Sequence, residues 1–249
     1  MDLGARLRGR HVLITGASSG LGAHFARVCA TCGAAITIGA RRRDRLDVAI
    51  GELTRLGAAP ARAVDLDVSD ERSVANALAE IADRPLDVLV NNAGIAGGGG
   101  AIDTPTEEFD RIIGTNLRGV WLMSTAAARS WREAKRPGTI VNIGSILGLR
   151  VAGGVAPYAA SKAGVVQLTQ ALALEWARYG IRINALAPGY IATELNEEFF
   201  AGEAGQAMIK RIPMRSLGQP EDLDGAFLLL ATDASAWTTG AVVRSMVGT

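Results

Sequence analysis

Val12-Leu13-Ile14-Thr15-Gly16-Ala17-Ser18-Ser19-Gly20-Leu21-Gly22 is the stretch from which the fold follows. An apolar run of strand type stops at Gly16, and a helical pattern opens at Gly20. Over Gly20–Thr31 it places Leu21, Phe25, Val28 and Cys29 on one face. Between strand and helix, glycine lets the backbone turn tightly and lets a pyrophosphate approach its amides. The helix N-terminus adds free N–H donors and a partial positive charge. The spacing G-x-x-x-G-x-G of Gly16, Gly20 and Gly22 differs from the common G-x-G-x-x-G fingerprint. Ser18 and Ser19 are polar loop residues suited to a phosphate, and no histidine partner marks them as nucleophiles.

Working outward, short β-rich runs keep alternating with helical patterns. Strands are expected at Ile36–Ile38, Ala63–Leu66, Val88–Val90, Thr139–Ile143, Ile181–Leu186 and Ala241–Val243. Helices are expected at Arg42–Leu56, Glu71–Ala82, between Glu107 and Lys135, at Tyr158–Tyr179 and at Pro220–Leu230. Ser69 is the cap expected for the third helix. This order predicts an α/β fold, a single-domain doubly wound parallel sheet (Rossmann-like) with helices on both faces. One domain spans 1–249, with no repeat and no internal linker. Glu194–Pro213 lacks strand partners, so a substrate loop is expected at about 189–214.

Composition narrows the function classes. The 249 residues are 49% hydrophobic and 20% charged, which excludes a disordered chain. Twenty-six Lys+Arg against 25 Asp+Glu leave a net charge of +1, which gives no support to a nucleic-acid or membrane-surface partner. Two cysteines exclude a disulfide scaffold. With no apolar run long enough for a membrane span and no signal-like stretch in Met1–Arg10, a cytoplasmic protein is expected.

Two further clusters carry chemistry. An enzyme that prefers NAD(H) usually ends its second strand with a carboxylate that holds the ribose 2′-hydroxyl. Here the segment reads Gly39-Ala40-Arg41-Arg42-Arg43. A guanidinium suits a 2′-phosphate, so NADP(H) is expected ahead of NAD(H), with Arg41 as the contact and Arg42 and Arg43 as a solvated helix start. Tyr158 and Lys162 lie four apart at a helix start and share a face. A nearby ammonium favours the phenolate and fits the tyrosine for proton transfer. Ser145 ends a strand and can donate to a carbonyl or alkoxide oxygen.

Together these pieces resemble the short-chain dehydrogenase/reductase family over nearly the whole chain. The resemblance rests on Thr15–Gly22, Asp67-Val68, Asn91-Asn92-Ala93-Gly94, Asn116 in Thr115-Asn116-Leu117, Ser145, Tyr158 with Lys162, and Pro188-Gly189. It implies a catalytic set of Asn116, Ser145, Tyr158 and Lys162. Tyr158 is the implied acid in reduction and base in oxidation, Ser145 polarises the carbonyl, and Lys162 lowers the tyrosine pKa and holds the nicotinamide ribose. Asn116 holds a water that links Lys162 to solvent. The implied cofactor cradle comprises Gly16, Ser18, Ser19, Gly20, Leu21, Gly22, Arg41, Asp67, Val68, Asn92, Ala93, Gly94, Tyr158, Lys162, Pro188, Gly189, Ile191 and Thr193. Asn91 is implied to be more structural. Some NADP(H) members carry a basic residue where this chain has Ser19.

The implied activity is hydride transfer between a nicotinamide cofactor and a small-molecule ketone or secondary alcohol. A 3-oxoacyl-thioester reductase, a non-redox lyase or epimerase, and a dinucleotide-sensing regulator remain alternatives. The small residues of the Tyr158–Tyr179 helix are of the kind that family members pack in a dimer or tetramer interface, so a homo-oligomer is expected. No metal site is expected. Cys29 and Cys32 sit at a helix end that disfavours thiolates, and His11 and His24 read as structural. Phe199, Phe200 and Met208 either close over a substrate or pack the long loop down. Members of the family usually end their last strand Val-Asp-Gly-Gly, whereas this chain reads Arg244-Ser245-Met246-Val247-Gly248-Thr249. Encoded as CGG-TCG-ATG-GTG-GGC-ACN, that tail gives Val-Asp-Gly-Gly-His when read from the third base, so a shifted reading frame is its expected origin.

Overall fold

The computed structural model of the chain describes residues 2–58, 60–194 and 196–245. Met246–Thr249, where most of the unusual tail falls, lie outside the described residues. Seven strands form one parallel sheet: β1 (His11–Thr15), β2 (Ala35–Ala40), β3 (Ala61–Asp65), β4 (Val88–Asn91), β5 (Gly138–Ile143), β6 (Ile181–Ala187) and β7 (Val242–Arg244). Their order is β3-β2-β1-β4-β5-β6-β7. The winding reverses between β1 and β4, the place where doubly wound sheets open a crevice beyond their strand ends. The fold is the Rossmann-like one that the strand–helix alternation predicts.

Both faces of the sheet are dry because side chains alternate along each strand. Val12 and Ile14 of β1 enter one core with Phe25 and Phe227, while Leu13 enters the other with Met123 and Trp131. Val88 and Val90 of β4 divide from Leu89 in the same way. On the first face lie α1 (Gly20–Thr31), α2 (Arg43–Arg55) and, near the C-terminus, a helix over Asp224–Ala231. Phe25 stacks on Phe227 with ring centroids 4.4 Å apart and pins that last helix to α1. The second face carries α3 (Glu71–Glu80), α4 (Thr106–Ile113), α5 (Gly119–Glu133) and α6 (Ala156–Trp176). The long 189–214 segment contains two short helices, α7 (Glu197–Ala201) and α8 (Glu203–Ile209), which makes the Asp224–Ala231 helix α9.

One expectation about the elements needs correction. Asp70, not Ser69, caps α3: its carboxylate accepts from the Arg72 amide at 2.9 Å, while the Ser69 hydroxyl donates to Asp67 at 2.6 Å. The helical stretches expected between Glu107 and Lys135 are α4 and α5, joined by a π turn at Gly114–Arg118. Both histidines tie elements of the fold together. His11 donates through Nδ1 to the Arg84 carbonyl at 3.1 Å and accepts from Thr37 Oγ1 at 2.8 Å. His24 Nε2 meets Asp224 Oδ1 at 2.7 Å and ties α1 to α9. Among the described residues no helix is long and apolar enough to cross a membrane.

Candidate active site

The glycine loop is shaped by contacts with the end of β4. Gly16 has φ +67°, and a Cβ there would lie 2.6 Å from the Ala93 Cα. Gly22 lies inside α1 where a Cβ would meet the Gly16 carbonyl at 2.6 Å and the Asn92 amide. Only glycine fits either place without moving the backbone. Thr15 Oγ1 accepts from the Asn92 and Ala93 amides, both at 3.0 Å, and Asn92 Nδ2 donates to the carbonyls of Thr15 at 3.0 Å and Gly16 at 3.1 Å. Beyond the loop, no side chain caps α1 and its first turn holds no acidic residue. Its leading amides therefore remain available to an anion.

Arginine closes one side of this cradle. Arg42 Nη2 donates to Ser18 Oγ at 2.9 Å and to Ser19 Oγ at 3.2 Å. The expected solvated role suits Arg43, which binds Asp47 at 3.0 Å, but not Arg42. Arg41 is exposed and close enough to act on Asp67. Burial raises the Asp67 carboxyl, but the hydrogen bonds from Ser69 and the Arg41 charge outweigh it and leave the group below its ordinary range. Neighbouring Val68 is buried, 6% exposed, against Gly119. On the far side, Thr193 lines a cleft of about 860 Å³ together with Ser18, Ser19 and Gly20. Leu21 packs its side chain partly into the core.

The Ser, Tyr and Lys set lies beyond the ends of β4 and β5. Ser145 follows β5 in extended backbone and accepts from the Leu147 amide at 3.1 Å. The turn after it rests directly on α6: a Cβ on Gly148 would come within 2.6 Å of the Lys162 backbone. Across that close approach Ser145 is near enough to Tyr158 to act on its phenol. Lys162 is buried, 5% exposed, with Nζ donating to the Ile143 carbonyl at 2.8 Å and lying 5.7 Å from the Tyr158 ring centre. Burial pushes its ammonium down to about 8. The phenol is pushed above its ordinary range by burial, which outweighs the lowering influence of Ser145. Desolvation is the largest influence on this phenol, which keeps its proton at neutral pH.

Asn116 sits in the π turn, fully buried. Its side chain accepts from the Ile95 amide at 2.8 Å and donates to the Ile95 carbonyl at 2.9 Å and to Ser161 Oγ at 3.0 Å. Gly94 approaches both Asn116 and Lys162, since a Cβ on it would lie 3.4 Å from Asn116 Oδ1 and 3.6 Å from Lys162 Nζ. Pro188 accepts from the Ile146 amide at 2.8 Å, which joins Pro188-Gly189 to the Ser145 turn, and Ile191 is buried beside Gly218. Asn91 bridges Ser124 and Asn142, both at 2.9 Å, inside the second core, in keeping with its structural reading. Cys29 and Cys32 are raised by burial and lie apart from the site. Phe200 packs the long loop down against Tyr190, while Phe199 stays half-exposed. The sequence reading missed Arg42 and the bracing roles of Thr15 and Ser161. Nothing in a run of three arginines says which one turns toward the loop.

A glycine cradle at the switch point, with Ser145, Tyr158 and a buried Lys162 gathered beside it, defines a dinucleotide-linked redox site. Comparison with known proteins agrees. The family described as enoyl-(acyl carrier protein) reductase matches residues 16–248. The L-rhamnose 1-dehydrogenase (NAD(P)(+)) of Azotobacter vinelandii is 40% identical over 92% of this chain and 92% of its own. The gluconate 5-dehydrogenase of Gluconobacter oxydans is 37% identical over 95% and 93%. Among solved structures, a gluconate 5-dehydrogenase from Burkholderia cenocepacia in complex with NADP and tartrate superposes with TM-score 0.92, at 35% identity over 100% of this chain and 97% of that one. The chain belongs to the short-chain dehydrogenase/reductase family. It is an NAD(P)-dependent oxidoreductase of alcohol and carbonyl groups.

Proposed function

We propose that the chain reduces a ketone, or in reverse oxidises a secondary alcohol, with NADP(H) ahead of NAD(H) and with Tyr158 exchanging the proton. The reading is carried by Lys162, buried with its Nζ 5.7 Å from the Tyr158 ring centre, and by Ser145 acting on the same phenol. The bound nicotinamide supplies or accepts the hydride. Tyr158, protonated at neutral pH, gives its proton to the carbonyl oxygen, and the Ser145 hydroxyl holds that oxygen as negative charge develops on it. Lys162, within reach of the same ring, favours the phenolate left behind. Asn116 holds the water through which Lys162 exchanges protons with solvent, and its own amide is oriented by Ile95 and Ser161.

The uncapped N-terminus of α1 and the glycine cradle fit a pyrophosphate, bound by Gly16, Ser18, Ser19, Gly20, Leu21 and Gly22. Arg41, with Arg42, takes the 2′-phosphate. Asp67 and Val68 flank the adenine; Asn92, Ala93 and Gly94 line the middle; and Pro188, Gly189, Ile191 and Thr193 meet the nicotinamide end. The 189–214 segment is the substrate loop of one domain spanning 1–249, and the protein acts in the cytoplasm as a homodimer or homotetramer. The test is the near-ultraviolet absorbance of reduced coenzyme mixed with enzyme and a set of ketones. Consumption of NADPH faster than NADH is expected, and consumption of neither with any carbonyl contradicts the reading.

A further inference from the structure

We infer that the carbonyl this site takes is flanked by apolar groups, and that polyols and sugar acids are not its substrates. The inference rests on the redox reading above and concerns the loops that enclose Ser145 and Tyr158. Two of them follow β4 and β5, and a third follows β6. They are joined: the Gly99 amide donates to the Gly154 carbonyl at 3.0 Å, and the Ile146 amide donates to Pro188 at 2.8 Å. The first is seated on Asn116 through Ile95, and the second on Lys162 through Gly148.

Their composition is one-sided. Residues 93–102 read AGIAGGGGAI and residues 146–157 read ILGLRVAGGVAP, so Arg150 is the single polar side chain in the two loops. Large apolar groups stand open to solvent at their tips: Ile102 is 95% exposed, Val151 92% and Leu149 39%. The third loop adds Phe199, 48% exposed, and its Asn196 amide is committed to Thr193 and Ile191 at 2.9 and 2.8 Å. Its charges are Glu194, Glu197 and Glu198, with no cation in residues 188–200.

A polyol brings a hydroxyl on every carbon next to the reacting one, and each loses its water on entering the site. Apart from Arg150, the side chains of these two walls return no hydrogen bonds, so those hydroxyls would have only backbone groups to pair with. Alkyl or ring substituents, by contrast, cover the exposed aliphatics and gain by leaving water.

The test compares kcat/KM with NADPH for butan-2-one, octan-2-one and cyclohexanone against 5-ketogluconate, L-tagatose and L-rhamnose, the last in the oxidative direction with NADP. The alkanones and cyclohexanone are expected to exceed the sugars by about 10²-fold or more. The double variant Ile102→Ser, Val151→Ser, altered only at exposed tips, is expected to shrink the octan-2-one to butan-2-one ratio by about tenfold. Sugars turned over as well as the alkanones, or an unchanged chain-length ratio, would overturn the inference while leaving the redox reading standing. Absence of turnover with every carbonyl and both coenzymes would defeat the redox reading and this one with it.

Discussion

Arg42 shows what a single side chain adds to a motif. The sequence points to the end of β2 because Ala40 stands where a carboxylate would serve NAD(H), but three successive arginines there are equivalent on paper. In the fold Arg43 turns to Asp47, Arg41 lies near Asp67, and Arg42 reaches the two loop serines. Arg42→Ala is expected to raise the Kd for NADPH about tenfold or more, the scale of a charge-assisted hydrogen bond, with little effect on NADH. Arg41→Ala should act in the same sense, and titrations showing equal losses for both coenzymes would contradict this.

Lys162 offers a second residue-scale test. Its ammonium is held near 8 in the fold by burial, against an ordinary value of 10.5 in the unfolded chain. Below about pH 8 both states carry the proton and the burial cost stands in full. Between about 8 and 10 the unfolded chain binds more protons, so stability rises with pH. Denaturant unfolding of the wild type should gain on Lys162→Met across that window, and parallel pH curves would refute the assignment.

At the scale of elements, strand positions and helix faces were legible because both sheet faces are buried and the 3.6-residue and two-residue periods differ plainly. The ends were less legible. Ser69 and Asp70 both favour capping, and the choice depends on Asp67, which draws the Ser69 hydroxyl away from the helix. Asp70→Ala is accordingly expected to lower stability by about 1 kcal/mol, while a loss of that size would not follow from a solvated Asp70. The π turn at Asn116 leaves no periodic trace, since one extra residue in a turn does not alter residue type. The resemblance, not the periodicity, marked that asparagine. The two helices within 189–214 were missed for another reason: they are short, and neither shows the sustained apolar stripe of a core helix.

At the scale of the whole molecule, the parallel sheet explains how Thr15, Asn92, Asn116, Ser145 and Lys162 come to one end of the fold. Thr15, Asn92 and Ser145 lie at or just beyond the C-terminal ends of their strands, Asn116 in the π turn and Lys162 in the first turns of α6 packed there. The same architecture leaves α6 with an outer face of Ala163, Gln167, Ala171 and Leu174, the last 86% exposed. In the proposed homo-oligomer a second copy covers this face. Light scattering is expected to give the mass of a dimer or tetramer, and Leu174→Glu to shift it toward the monomer. A monomeric wild type at micromolar concentration would contradict the arrangement. All of this converges on the Tyr158 hydroxyl as the proton donor. The most direct test is the turnover of Tyr158→Phe, which removes that hydroxyl and little else, together with its affinity for NADPH. The expected result is a fall in kcat of about 10²-fold or more with NADPH binding retained; turnover equal to that of the wild type would contradict it.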